Sequence, residues 1–169
     1  MKHVRIDDVE NDVQPAAVVR RLTEALETTD VAINHYELEP GDSFAFGYHR
    51  HEIQEEVFFV RSGTATFETE TGDVTVGAGE IVRFAPGEFQ RGWNRGDERV
   101  VALALGAPLA YGESELRRDC PTCGGQTRNE LDRQDDEDAP EGAAVVAYCL
   151  ECDTETGRWV TGSMPGDVP

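Results

Sequence analysis

EEVFFVRSGTATFETETGDVTVGAGEIVRFAPG, residues 55–87, holds four short runs of β-branched and aromatic residues with a turn signal after each. The runs are EEVFFVR, TATFETE, DVTVG and EIVRFA, punctuated by Ser62-Gly63, Thr71-Gly72, Gly77-Ala78-Gly79 and Pro86-Gly87. Such runs, separated by residues that accept unusual or fixed φ, read as strands joined by tight turns. Working outward, VAINHYELE and DSFAFGYH precede this stretch, FQRGWN and ERVVALAL follow it, and Pro40-Gly41 and Arg95-Gly96-Asp97 supply further turns. Many short strands without intervening helical periods predict an antiparallel sandwich or barrel over residues 31–105.

The flanks read differently. In PAAVVRRLTEALET, residues 15–28, Val18, Val19, Leu22 and Leu26 stand near helical spacing behind Pro15, which suits a first helical turn. An amphipathic helix is expected there, within an N-terminal segment 1–30. After Gly106 the strand pattern stops, so a boundary is expected ahead of Cys120, with a barrel over 31–112 and a second module over 117–165. Residues 129–142, NELDRQDDEDAPEG, have almost nothing to bury and many like charges, and predict a solvated loop. TETGRWVTG, after Cys152, predicts a strand whose Trp159 covers the module or docks on the barrel.

The chain has 34 Asp and Glu against 15 Lys and Arg, a formal charge of −19, and Lys2 is its only lysine. Excess carboxylate keeps a protein hydrated where salt screens ordinary repulsion, which suggests a salt-rich cytosol; an acidic protein from a GC-rich genome would also favour Arg over Lys. Either origin argues against nonspecific nucleic-acid binding. The 169 residues hold no apolar run long enough to span a bilayer, and the N-terminal MKHVRIDDVENDV has no signal-like apolar stretch, so a cytoplasmic location is expected.

Two of the four histidines form His49-Arg50-His51. On a strand these alternate residues project to one side, and a tight turn through Glu52 to Glu55 would bring the Glu56 carboxylate to the same point. Two imidazoles and one carboxylate with open positions suit Fe(II), and the same donors accept Mn, Ni, Co or Zn. Candidate pocket residues are Phe58 and Val60, which share the strand parity of Glu56, with Phe44, Phe46, Phe84 and Trp93. His35 reads as a structural strand residue or a pocket residue, and His3 lies near a terminus.

These residues resemble the cupin superfamily, whose first motif reads G-x5-H-x-H-x3-4-E-x6-G. Gly41, His49, His51, Glu56 and Gly63 match it, with seven residues rather than five between Gly41 and His49. The second motif, G-x5-P-x-G-x2-H-x3-N, is met by Gly79, Gly87 and Asn94; Ala85 stands where the proline is expected, with Pro86 beside it, and Gln90 stands at the histidine position. The resemblance implies an all-β, cupin-type antiparallel β-barrel (jelly roll) and a divalent metal held by His49, His51 and Glu56. A glutamine is a weaker donor than imidazole, so Gln90 binds the metal directly, orients a bound water, or marks a barrel that has lost its metal.

All four cysteines lie beyond the barrel, as Cys120-Pro121-Thr122-Cys123 and Cys149-Leu150-Glu151-Cys152, with 25 residues between the pairs. Paired C-x2-C knuckles form a tetrahedral thiolate set, and this part of the chain resembles a zinc ribbon. Gly124 follows the first knuckle, whereas Asp153 stands where a glycine often follows the second. Disulfides are disfavoured in a cytosolic chain; a rubredoxin-like iron site uses the same thiolates. A four-thiolate zinc is coordinatively closed and stabilises or binds partners rather than catalysing.

Two functions follow from these readings. One is a metal-binding cupin acting on a small molecule, as a mononuclear metal-dependent oxygenase or isomerase. The other is a noncatalytic small-ligand or metal-sensing module that signals through the ribbon. The resemblance also implies a homodimer through barrel faces.

Overall fold

The architecture comes from a computed structural model that describes residues 1–139 and 142–160. The strands form where the β-branched and aromatic runs lie: β2 (Ala32–Leu38), β3 (Tyr48–His51), β4 (Glu55–Ser62), β5 (Thr64–Thr69), β6 (Gly72–Gly77), β7 (Ile81–Phe84), β8 (Gln90–Trp93) and β9 (Val100–Ala107). In β9 buried and half-buried residues alternate strictly, as a strand covered on one face requires. The Ser62-Gly63 turn carries the chain from one sheet into the other. Gly63 has φ +75°, and a Cβ there would lie 2.6 Å from the Arg99 carbonyl oxygen, so only glycine fits without displacing the backbone.

The strands form two antiparallel sheets. One is five-stranded in the order β1-β2-β9-β4-β7, where β1 is Val18–Arg21. The other is eight-stranded in the order β13-β12-β11-β10-β3-β8-β5-β6, where β10 is Ser114–Cys120, β11 Gly125–Asp135, β12 Ala143–Cys149 and β13 Glu155–Val160. Between them lies an aromatic core: Phe67 packs with Phe58 at 4.9 Å, Phe84 at 5.3 Å and Phe44 at 5.7 Å between ring centroids. Gly92 on β8 makes room for this cluster, because a Cβ there would lie 2.6 Å from both Phe44 and Phe67. Gly92→Ala is therefore expected to cost about 1–3 kcal/mol by overpacking, seen as a lower urea midpoint with unchanged slope.

Three expectations are corrected. The N-terminal helix over 15–28 is instead strand β1 followed by a five-residue helix, α1 (Leu22–Leu26). Val18 to Arg21 pair with Glu37 to Asn34 at the edge of β2, and sheet pairing of two adjacent valines overrides the helical spacing. The barrel is not closed: β10 occupies the side of β3 away from β8 and extends the second sheet towards the cysteines. Finally, Asn129 to Asp135 belong to β11 rather than to a loop. Their polar side chains need no core, because the backbone is hydrogen-bonded to β12 from Asn129↔Cys149 to Asp135↔Ala143.

The strand expected after Cys152 is β13, while Thr161, Gly162 and the remainder of the module to residue 165 lie outside the described residues. Trp159 does dock on the first part of the chain. It meets Phe46 edge-on at 4.9 Å and packs with buried Val13 and Ala147 in a small cluster separate from the aromatic core. Buried Arg118 of β10 completes the joint: its guanidinium donates to the Thr156 and Phe46 carbonyls and lies over the Trp159 ring at 4.7 Å.

Candidate functional site

The short β3 strand places His49 and His51 on one face, and a three-residue turn, Glu52 to Gln54, leads into β4. The turn is held open on its inner side by buried Gln54, whose amide donates to the Pro108 carbonyl at 2.7 Å. Glu56 thereby approaches from the opposite sheet. His49 Nε2 lies 3.5 Å from Glu56 Oε2, and His51 Nε2 lies 3.7 Å from Glu56 Oε1. One ligand atom from each of the three residues falls within 4.8 Å of the others.

The protonation pattern suits a cation. The His49 Nδ1–H donates to the Gly47 carbonyl at 3.1 Å, which leaves the Nε2 lone pair facing inward. Burial of Glu56 favours its neutral form, but when the His49 and His51 rings are protonated their hydrogen bonds and charge overcome this and hold the carboxyl well below the usual range; a cation bound by the Nε2 lone pairs would take the place of those protons. Gln90, buried on β8, stands beside His49 in the strand ladder. Its amide nitrogen donates to Glu56 Oε2 at 2.8 Å and faces His49 Nε2 at 3.2 Å, while its Oε1 is buried with no hydrogen-bond partner among the described residues. Amide oxygen and nitrogen exchange by a half-turn. Turned, the amide would present a third acceptor to the two already there, an arrangement that only a cation stabilises. The donor set therefore fits a divalent metal, with Gln90 as hydrogen-bond bridge or fourth donor.

His49, His51 and Glu56, but not Gln90, line the inner end of a cleft of about 500 Å³. Phe44, Phe46 and Phe58 line it as expected; Val60 and Phe84 belong to the core instead, and Trp93 is not among the lining residues. His35 lies outside the cleft, buried and 3.0 Å from Glu37. Sequence reasoning missed Tyr111, 5.4 Å from the His51 ring, and the outer wall made by Arg128, Leu131 and Leu150. An aromatic residue in the short linker between β9 and β10 was the one available signal for Tyr111.

The four cysteines also converge. Their sulfurs lie within 4.8 Å of one another, with Cys120 and Cys152 at 3.6 Å, Cys123 and Cys149 at 3.9 Å, and Cys123 and Cys152 at 3.4 Å. These separations exceed a disulfide bond and match the edge of about 3.8 Å that a tetrahedron with ~2.3 Å zinc–sulfur bonds requires. The knuckles are alike: Gly124 donates to the Cys120 carbonyl and Asp153 to the Cys149 carbonyl, each at 2.9 Å. Asp153 takes φ 57°, so it adopts the left-handed conformation expected of the missing glycine. The Thr127 hydroxyl leads the donors that pull the Cys149 thiol down to about 6, whereas the neighbouring Cys152 sulfur pushes Cys123 up to about 12. Four sulfurs this close ionise together only around a cation.

Residues 34–106 match the family model described as Cupin domain. In fold, the chain is similar to a sugar phosphate isomerase from a cupin superfamily of Silicibacter pomeroyi, with 17% identity, a TM-score of 0.58 and 91% of each chain covered. It is also similar to an uncharacterized conserved protein with a double-stranded beta-helix domain from Klebsiella pneumoniae, with 24% identity, a TM-score of 0.54 and coverage of 69% of this chain and 96% of that one. A predicted oxalate decarboxylase from Thermotoga maritima gives 23% identity, a TM-score of 0.55 and coverage of 63% and 99%, respectively. Comparison with curated proteins gives no match. Residues 34–106 are thus similar to a cupin domain, and β10 leads from them into a four-cysteine arm. No helix among the described residues is long and apolar enough to cross a membrane.

Proposed function

We propose that this protein is a metal-dependent cupin that binds a divalent ion through His49, His51 and Glu56 and acts on a small molecule, as an isomerase or oxygenase, while the four cysteines hold a structural zinc. The observation that carries this reading is the convergence of three ligand atoms at the inner end of a cleft with aromatic walls. A metal there would supply a Lewis acid that polarises a bound oxygen. The chain's own residues do the rest: the Gly47 carbonyl fixes the His49 tautomer with Nε2 free to ligate, Glu56 supplies the anionic ligand, and Phe44, Phe46 and Phe58 wall that end.

One feature favours a noncatalytic ligand- or metal-sensing module: Gln90 replaces an imidazole and can bridge Glu56 and His49 without any metal. Metal counting tests the proposal. Protein purified with iron, manganese, nickel, cobalt and zinc all supplied is expected to carry two ions per chain, one of them zinc. One zinc alone would leave the barrel empty and make the noncatalytic reading the better one.

The reduced cysteine cluster suits a reducing, cytoplasmic compartment, and the charge of −19 suits a saline one. Screening of carboxylate repulsion should then raise the melting temperature from dilute to molar KCl. A fall would remove the saline reading.

A further inference from the structure

The two metal-competent clusters lie on one cross-strand row. Gln90 stands opposite His49, His49 opposite Leu116, Leu116 opposite Asn129, and Asn129 opposite Cys149. Residues directly opposite in a ladder project to the same face, and strands are spaced about 4.8 Å apart. From His49 to Cys149 is three such steps, or roughly 14 Å. His49, Leu116 and Asn129 all line the cleft, so its floor runs from the barrel ligands to the cysteine cluster.

At the far end Leu150, inside the second knuckle, turns back over this floor. Its amide donates to the Arg128 carbonyl at 2.9 Å, which fastens the knuckle to β11, and its side chain lines the cleft while remaining 47% exposed. Leu131 and Tyr111 are also exposed and also line the cleft, so a cluster of large exposed apolar side chains rims this opening. An apolar rim above a polar inner end fits a ligand of two parts.

Resting on the proposed barrel metal site, we infer that the ligand has an oxygen-bearing chelating head for the metal and an apolar body that lies along the row towards Leu150. The second cysteine knuckle is the wall that selects this body. The cysteine cluster is then a positioning element: it fixes Leu150 and Arg128 without touching the reacting end.

Two hydroxamates serve as probes, with the full chain carrying Co2+ in the barrel and, in every protein but Cys149→Ser, zinc in the cysteines. Acetohydroxamate has the chelating head alone; 4-phenylbenzohydroxamate adds two rings in line, long enough to extend along the row. Wild type is expected to prefer 4-phenylbenzohydroxamate by roughly tenfold, the gain from covering part of the outer ring with apolar side chains. Leu150→Asp, which keeps all four cysteines, and Cys149→Ser, which loosens the knuckle, should each abolish this preference and leave acetohydroxamate affinity unchanged. A wild type without preference, or a preference that survives Leu150→Asp, overturns the wall while leaving the barrel site standing. Failure of wild type to bind either hydroxamate overturns the barrel metal reading itself, and this inference with it.

Discussion

Cys149→Ser is expected to empty the cysteine cluster of zinc while the aromatic core stays folded. Structural zinc contributes on the order of 10–16 kcal/mol to thiolate-rich modules, so one ligand in four carries roughly 2.5–4 kcal/mol, on the order of a hundredfold to a thousandfold in affinity. The effect should stay away from the aromatic core because the arm docks on the rest of the chain through a small cluster, Val13, Ala147 and Trp159, that is separate from Phe44, Phe58, Phe67 and Phe84. Zinc per chain and tryptophan emission report the two parts: Trp159 reads the arm and Trp93 the cupin sheet. Full zinc stoichiometry in the variant would show that the four-thiolate assignment is wrong.

His51→Ala should remove metal from the barrel and leave the cysteine zinc in place. Losing one of two imidazoles should weaken binding by more than the roughly 10–100-fold that follows loss of a supporting hydrogen bond at a metal ligand. Gln90→His should act in the opposite direction. It puts a nitrogen donor beside His49 and removes the amide that donates to Glu56. Calorimetric titration of the zinc-loaded full chain with Mn2+ or Ni2+ separates the three proteins. Equal affinity in all three would place the metal elsewhere.

The metal-competent group was legible because its logic is local. Alternation puts His49 and His51 on one face, and a short turn returns Glu56 to them. The knuckles were legible for the same reason, since C-x2-C closes on itself. What escaped was decided by pairing between distant segments. Val18 and Val19 become a strand because β2 offers an edge, and Asn129 to Asp135 become one because β12 pairs along their whole length while β10 holds the strand from Gly125 to Asn129. Leu150 reads as an ordinary knuckle residue until β11 is laid beside β10, which brings it over the cleft. The closed barrel failed for the converse reason, because the sequence does not reveal that β10 will claim β3.

That last pairing changes where the chain can be divided. Ser114 to Arg117 cover the outer edge of β3 from His51 to Tyr48, so a protein ending at Gly112 would expose that edge, with the two histidines on it. Bare edges recruit strands from other molecules. In such a truncated chain self-association would compete with metal binding at the proposed site, so the cysteine arm would shield the β3 edge from other molecules as well as supply the proposed wall.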